Sequence, residues 1–112
     1  MDIYQIYYSE SFIEDILRLE LFLKLCKVDK AKIVETIDKI KKSIDTLETF
    51  PSRFPILEGK QFEKFPIRKM IIGFYIVKYQ VNEDKRTVTI LKIFNCRENP
   101  DKIKELHYGE NN

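Results

Sequence analysis

Residues 65–94 read FPIRKMIIGFYIVKYQVNEDKRTVTILKIF, and most of the β-strand signal of the chain lies in this segment. It predicts three β-strands, at Phe65 to Ile72, Phe74 to Val81 and Thr87 to Phe94, because β-branched and aromatic residues dominate each of them. The polar stretch from Asn82 to Lys85 separates the last two strands and predicts a hairpin turn. The second half of the chain is therefore expected to form an antiparallel sheet.

Two helices are predicted before these strands. Ser9 suits the N-cap of a first helix from about Ser11 to Lys27, whose first turns carry acids close to the positive end of the helix dipole. Asp29 can cap a second helix, in which apolar residues recur at spacings of three and four as far as Leu47. Only Val28 and Asp29 separate the two, so an antiparallel helix hairpin is expected.

The N-terminus adds one more strand to the predicted fold. Ile3 to Tyr8 read IYQIYY, which is typical of a buried or partly buried strand. Prolines in the segment from Phe50 to Pro55 end the second helix, and a loop is expected from there through Gly59. This order predicts an α+β fold, in which the N-terminal strand and the helix hairpin pack on an antiparallel sheet of about four strands. The length of 112 residues predicts a single domain over residues 1–112.

The charge of the chain is small in total and uneven in distribution. The formal net charge is +2, yet Met1 to Gly59 contains 9 Lys/Arg against 11 Asp/Glu, and Lys60 to Lys104 contains 11 against 5. A basic surface in the second half is therefore predicted, and its local field can steer a polyanion. The alternative interpretation, that these cations only keep the sheet soluble, stays open.

Several classes of protein are disfavoured by composition. No apolar run approaches the roughly 20 residues of a membrane span, and no basic and apolar leader follows Met1, so a soluble cytoplasmic protein without a membrane partner is expected. With three glycines and one histidine, the sequence contains no Gly-rich phosphate loop and no zinc pattern. No cofactor and no metal are therefore expected.

The helix hairpin, the stretch from Ile67 to Val81 and the stretch TVTILKIFNCRENP from Thr87 to Pro100 together resemble the RelE/ParE superfamily of bacterial type II toxins, which includes plasmid stabilisation proteins. In that family an Arg precedes a Gly-x-Tyr-like strand, a second Tyr follows four residues later, and the last strand ends in a His-x-Arg or similar motif. The matching positions here are Arg68, Gly73, Tyr75, Tyr79 and Arg97. The resemblance extends from Tyr4 to about Lys102.

The resemblance implies a growth-inhibiting toxin that a cognate antitoxin neutralises, in a possible toxin–antitoxin hetero-oligomer. It leaves two targets open, namely the ribosome with its mRNA, which would be cleaved, and DNA gyrase. RNA-cleaving members often carry an Arg where this chain has Ile76, and a His where it has Asn95, so a transition-state cation and an acid/base group are missing. Gyrase-inhibiting members look more like this sequence. The same departures favour a further alternative, a non-catalytic binding module that has lost its active site.

Alternation along the strands divides the candidate site residues between two faces. Tyr75, Val77, Tyr79 and Val81 are expected on the core face, with Lys78 on the opposite, partly exposed face beside Lys92 of the next strand. The residues predicted to bind nucleic acid or the target are Lys64, Lys78, Lys92 and Phe94. RNA cleavage would need cations and an acid/base pair, for which the candidates are Arg68, Lys69, Arg97, His107 and Tyr108. The alternative for His107 and Tyr108 is that they are solvated surface residues of the tail.

Overall fold

The computed structural model describes residues 3–58 and 64–95. The predicted order of a strand, two helices and then strands is confirmed, as is the α+β class. The elements are β1 (Gln5–Tyr8), α1 (Glu10–Leu25), α2 (Lys30–Asp45), β2 (Ile56–Glu58), β3 (Ile67–Ile72), β4 (Tyr75–Asn82) and β5 (Thr87–Asn95), with short 3₁₀ turns at Thr46–Glu48 and Pro51–Arg53.

The five strands form one sheet in the order β1-β5-β4-β3-β2, which differs from the predicted sheet in two details. First, β1 runs parallel to β5, so the sheet is mixed. The helix hairpin carries the chain from β1 at one edge of the sheet to β2 at the other, and residue alternation contains no information on strand direction. Second, Ile56–Glu58 pairs with β3 where a loop was expected, which raises the strand number by one.

The predicted helix hairpin is present, and both ends of α1 have clear local causes. At the N-terminus, the Ser9 Oγ accepts a hydrogen bond of 3.0 Å from the Phe12 N–H. At the C-terminus, Lys27 has a φ of 61°. The Val28 N–H donates to the Leu23 carbonyl and the Lys27 N–H to that of Lys24, as in a Schellman motif. The helix therefore ends two residues before the expected Lys27, at a turn that lacks the usual glycine signal.

The core lies between the helix hairpin and one face of the sheet, here called the helix face. Val77, Tyr79 and Val81 of β4 are buried there, as the alternation predicted. The other buried apolar residues of this cluster are Tyr4, Phe12, Leu19, Ile40, Ile44, Leu47, Met70, Ile72, Val88, Ile90 and Ile93. Because the helices cover the helix face, the side chains that alternate with this set form the opposite surface of the sheet.

Candidate target-binding face

The sheet face opposite to the helices, here called the open face, follows from the strand register. Lys78 alternates with the buried Val77 and Tyr79 along β4, so its side chain projects to the open face. Residues directly opposite each other on neighbouring strands share a face. On β1, β3, β4 and β5 the open-face residues are Gln5, Tyr7, Ile67, Lys69, Ile71, Ile76, Lys78, Gln80, Asn82, Thr87, Thr89, Lys92 and Phe94.

Three lysines lie side by side on the open face. Lys69 of β3 is directly opposite Lys78 of β4, and Lys78 is directly opposite Lys92 of β5. We call these three residues the lysine row. Neighbouring strands are about 4.8 Å apart, and like charges directly opposite each other destabilise a sheet. The lysine row therefore places three lysines at neighbouring positions of three adjacent strands.

Lys92 is anchored at one end of the row. Its Nζ lies 3.1 Å from the Asp15 Oδ2 and 3.0 Å from the Ser11 Oγ. The Asp15 side chain is only 7% exposed, and it also accepts hydrogen bonds from the Ile93 N–H at 3.2 Å and from Arg18 at 3.0 Å. Asp15 thus ties Lys92 to α1.

A β-bulge accompanies this anchoring. The register passes from Lys78 opposite Lys92 to Tyr79 opposite Ile90, which leaves Leu91 as the extra residue of β5. The Leu91 carbonyl accepts a hydrogen bond of 2.8 Å from the Ser9 hydroxyl. The first turn of α1 therefore satisfies backbone groups of β5 beyond the point where β1 ends.

Arg68 and Lys69, both proposed as catalytic cations from the sequence, project to opposite faces of the sheet. Arg68 is opposite Tyr79 on the helix face, where its guanidinium donates a hydrogen bond of 2.7 Å to the Phe54 carbonyl. The Tyr79 hydroxyl donates one of 2.6 Å to the Pro51 carbonyl, and burial raises the pKa of Tyr79 to about 12. Through these hydrogen bonds both side chains connect residues 51–54 to the sheet. The structure does not bring Arg68 together with the lysine row.

The remaining predicted site residues are spread more widely. The Lys64 Nζ lies 3.5 Å from the Asp84 Oδ2 and 5.5 Å from the centre of the Phe65 ring. Phe94 is on the open face opposite Ile76, two residues along β5 from Lys92. The other three candidates, Arg97, His107 and Tyr108, lie outside the described residues.

An apolar row borders the lysine row. Ile76 is opposite both Ile71 of β3 and Phe94 of β5, and it is only 7% exposed. This is the position at which the resemblance places an Arg in RNA-cleaving members. On the described open face the lysine row therefore lies beside the apolar row of Ile71, Ile76 and Phe94. The aliphatic side chain of Ile76 occupies the position of that Arg.

Sequence reasoning missed a second surface, on the helix hairpin. A groove with a volume of about 240 Å³ and an almost wholly apolar lining is formed by Tyr8, Phe12, Ile13, Ile16, Leu17, Ile37, Ile40 and Lys41. We call it the apolar groove. Beside it, Ile13, Leu17, Leu21 and Leu25 follow one another at spacings of four along α1, and Leu17 is 60% exposed. The spacing was readable in the sequence as a second apolar stripe on a helix whose first stripe faces the core.

Residues 3–58 and 64–95 contain the helices α1 and α2 and two short 3₁₀ turns. None of the helices there is long and apolar enough to cross a membrane. In the same two segments no cluster of three or more His, Cys, Asp or Glu side chains is arranged to hold a metal ion.

The fold is shared with toxins in three solved toxin–antitoxin complexes. One is the ParDE system of Pseudomonas aeruginosa, with a TM-score of 0.65 and 9% identity over 83% of this chain and 96% of the other. Another is the archaeal RelE–RelB complex of Pyrococcus horikoshii, with a TM-score of 0.57 and 20% identity over 83% of this chain and 94% of the other. The third is the RelBE2 complex of Mycobacterium tuberculosis, with a TM-score of 0.52 and 15% identity over 85% of this chain and 93% of the other. At these identities the likeness establishes the RelE/ParE type of fold.

The family follows from the sequence. Residues 6–100 match the model of a family described as the ParE toxin of the type II toxin–antitoxin system parDE. No curated protein matches the chain significantly in sequence. Since the match covers most of the chain, the protein belongs to the ParE toxin family and is a type II toxin.

Proposed function

We propose that this toxin acts in the cytoplasm on DNA gyrase, whose supercoiling activity it blocks, and that a cognate antitoxin neutralises it in a hetero-oligomer. The observation that carries the proposal is the match of residues 6–100 to the ParE family. The open face adds support, because the buried Ile76 occupies the position where RNA-cleaving members often carry an Arg.

The antitoxin is proposed to cover the helix hairpin. The solved neighbours of this fold are toxin–antitoxin complexes, so a protein partner is the expected occupant of an exposed apolar surface. Here that surface is the apolar groove together with Leu17, Leu21 and Leu25 of α1. An amphipathic helix with apolar residues at spacings of three and four fits such a groove.

Growth inhibition and gyrase inhibition test the proposal together. Induction of this chain alone in a bacterium should arrest growth, and co-expression of the small open reading frame beside its gene should restore growth. The purified toxin should prevent purified gyrase from supercoiling relaxed plasmid. Normal growth with soluble toxin, or unaffected supercoiling at a large excess of toxin, would contradict it.

A second candidate function is ribosome-dependent cleavage of mRNA. It is favoured by the lysine row, because closely spaced cations can bind RNA phosphate, and by the RelE toxins that share this fold. Incubation of the purified toxin with programmed ribosomes, followed by mapping of mRNA ends, separates the two targets. Cuts in the mRNA without any effect on gyrase would replace the gyrase proposal with this one.

The non-catalytic binding module remains a third candidate, because Ile76 and Asn95 replace the Arg and His of RNA-cleaving members. It is tested with Lys69→Ala and Arg97→Ala. A module without an active site should give the same phenotype with and without these substitutions, whereas loss of toxicity in folded variants would argue for a working site.

The contact with the antitoxin is tested by Leu17→Gln combined with Leu21→Gln. Both side chains are more than half exposed, so the fold should tolerate the change, while the antitoxin should bind at least tenfold more weakly and no longer rescue growth. Phe50→Asn is the matched control, because Phe50 is 80% exposed, lies outside the groove and has a φ of 47° that Asn tolerates. Equal rescue of both variants would place the antitoxin elsewhere.

A further inference from the structure

We propose that the segment after β5, which lies outside the described residues, docks through Ile103 and Leu106 into a cleft between α2 and the turn from β3 to β4. The inference goes beyond the proposed function, since neither the gyrase proposal nor the antitoxin proposal uses this cleft. The occupant is therefore a part of the chain itself. It is supported by the lining of the cleft, by the place at which β5 ends and by the residues that follow.

The cleft has a volume of about 340 Å³ and is formed by α2 on one side and by the end of β3 and the start of β4 on the other. Its lining residues are Lys32, Glu35, Thr36, Lys39, Ile40, Ile72, Gly73, Phe74 and Tyr75. Phe74 is 55% exposed there, beside the buried Ile40 and Ile72. The volume corresponds to roughly ten water molecules, and their displacement from apolar side chains by an aliphatic group is favourable.

The cleft and the apolar groove lie on opposite flanks of α2. Ile40 contributes to both of them. Ile37 and Lys41 line only the groove, whereas Thr36 and Lys39 line only the cleft, as expected for a helix with 3.6 residues per turn. A partner that fills the apolar groove therefore does not fill the cleft.

The last strand ends at the edge of the cleft. Asn95, the last residue of β5, is directly opposite Tyr75, which lines the cleft. Ile103 follows eight residues later in the sequence, and an extended chain of that length reaches up to about 28 Å. The tether is therefore long enough to bring Ile103 back to the cleft beside which it starts.

So short a tether also favours this occupant over a separate molecule. It gives the attached segment an effective concentration on the order of millimolar. A second copy or another protein at micromolar concentration would need about a thousandfold higher affinity to occupy the cleft equally. Even a weak contact is thus mostly formed within the chain.

The sequence after Pro100 supplies side chains that match the cleft. Its aliphatic residues are Ile103 and Leu106, which suit the exposed ring of Phe74. Burial of aliphatic side chains against an aromatic ring removes apolar area of both from water. This match supplies the attractive contact of the proposal.

The charges agree with the same occupant. The lining contains two Lys and one Glu, which gives it a formal charge of +1. Residues 105–112 carry Glu105 and Glu110 and no Lys or Arg, so their formal charge is −2. Opposite charges within about 10 Å attract each other at moderate salt, which favours the docked arrangement.

Disulfide formation measures the proposed proximity. In the whole chain with Cys26→Ser and Cys96→Ser, the pair Lys39→Cys/Leu106→Cys is oxidised with glutathione disulfide at low protein concentration. A disulfide requires the two Cα atoms to approach within about 7 Å. The intramolecular bond, followed by mass spectrometry, should form faster by about tenfold or more than in the matched pair Lys41→Cys/Leu106→Cys.

The matched pair places the first cysteine on the other flank of the same helix, since Lys41 lines the apolar groove. Equal rates in the two pairs would overturn the inference, because the segment would then sample both flanks without docking. Intermolecular disulfides that require Lys39→Cys would also overturn it, since they would assign the cleft to a second copy. Neither readout depends on gyrase or on the antitoxin.

A tryptophan probe provides a second measurement should the cysteine variants fail to fold. The chain contains no Trp, so Phe74→Trp places a single fluorophore in the cleft, at a position that is more than half exposed. Adding Ile103→Ser/Leu106→Ser should shift its emission to longer wavelength and raise its quenching by acrylamide, because water replaces the docked side chains. An unchanged emission would contradict the docking.

The control for the tryptophan probe is Ile3→Ser/Val34→Ser in the same background. Both residues are 59% exposed and lie outside the cleft, so this variant removes two aliphatic side chains without touching the proposed contact. Its emission should equal that of Phe74→Trp alone. An equal shift in both variants would mean that the probe reports a general loosening of the fold, and it would count against the inference.

Discussion

Asp15 is a buried carboxylate with three partners, and its role is structural support for the open face. It accepts hydrogen bonds from the Ile93 N–H, from Arg18 and from Lys92. Asp15→Ala should lower the free energy of unfolding by about 3 kcal/mol, because it leaves a buried N–H and an ammonium group without their acceptor. Urea denaturation measures the loss.

The control for Asp15 is Asp45→Ala. Asp45 forms an exposed pair with Lys41 at 3.8 Å, one turn away on the same helix. An exposed pair of this kind contributes less than about 0.5 kcal/mol. Equal losses in the two variants would mean that the buried contacts of Asp15 contribute little.

Tyr79 makes a pH-dependent contribution to stability. Burial raises its pKa to about 12, above the ordinary value of 10.0, so the folded chain keeps the proton over a range in which the unfolded chain loses it. The associated stability is present below pH 10 and is lost as the pH rises from 10 towards 12. The loss amounts to about 2 to 3 kcal/mol.

Tyr79→Phe tests this assignment. It removes the hydrogen bond to the Pro51 carbonyl and should cost about 1 to 2 kcal/mol at neutral pH. The variant should also show a shallower fall in stability between pH 10 and pH 12, measured by urea denaturation. An identical alkaline slope in both proteins would assign the titration to other tyrosines.

At the scale of elements, the turn between β3 and β4 depends on one glycine. Gly73 has a φ of 60°, and Ile72 pairs directly with Tyr75 around it. A Cβ at Gly73 would meet no atom within 4 Å, so only the backbone conformation opposes a side chain. Gly73→Ala should therefore cost about 1 to 2 kcal/mol, and Gly73→Asn less, because Asn tolerates the left-handed region. Thermal unfolding of both variants gives the comparison, and equal costs would contradict it.

The elements themselves could be predicted from the sequence to different degrees. The helix hairpin and strands β3 to β5 followed from periodicity, because each presents one continuous apolar face to the core. The strand Ile56–Glu58 was missed because three residues are too few for a periodic signal, and it pairs through its backbone with β3. The parallel direction of β1 was missed because it depends on the path of the connection.

The sequence predicted the face on which some candidate residues lie, but not how the strands align them. Alternation placed Lys78 and Lys92 on the face opposite to the core. Their alignment with Lys69 could not be predicted, since it depends on the register of β3 and on the bulge at Leu91. The separation of Arg68 from Lys69 follows from the alternation of β3, which places neighbouring residues on opposite faces of the sheet.

At the scale of the whole molecule, one hydrogen-bonded cluster joins three distant segments. The Tyr4 hydroxyl and the Ser52 hydroxyl both donate to the Glu83 carboxylate, so the N-terminus and the segment after α2 meet the turn between β4 and β5. The hydrogen bond from Tyr4 holds the pKa of Glu83 below its usual value. Its contribution to stability is therefore present above the unfolded pKa of about 4.5 and is lost as the pH falls through the lower folded value.

Glu83→Gln should accordingly reduce the acid sensitivity of the fold. The stability difference from the unmodified chain should stay below about 1 kcal/mol at pH 6, because Glu83 is exposed, and should shrink further towards pH 3. Urea midpoints across this range provide the measurement. Glu35→Gln is the control, since Glu35 forms an exposed pair with Lys32, and a similar pH dependence in both variants would contradict the assignment to the cluster.

The parallel pairing of β1 with β5 has a consequence for biosynthesis. Gln5–Tyr8 is translated before the helix hairpin and strands β2 to β4, and its partner Thr87–Asn95 is translated after them. The nascent chain must hold its first strand without a partner while the helix hairpin and three other strands emerge. A chain with this connectivity cannot complete its sheet before β5 has been translated.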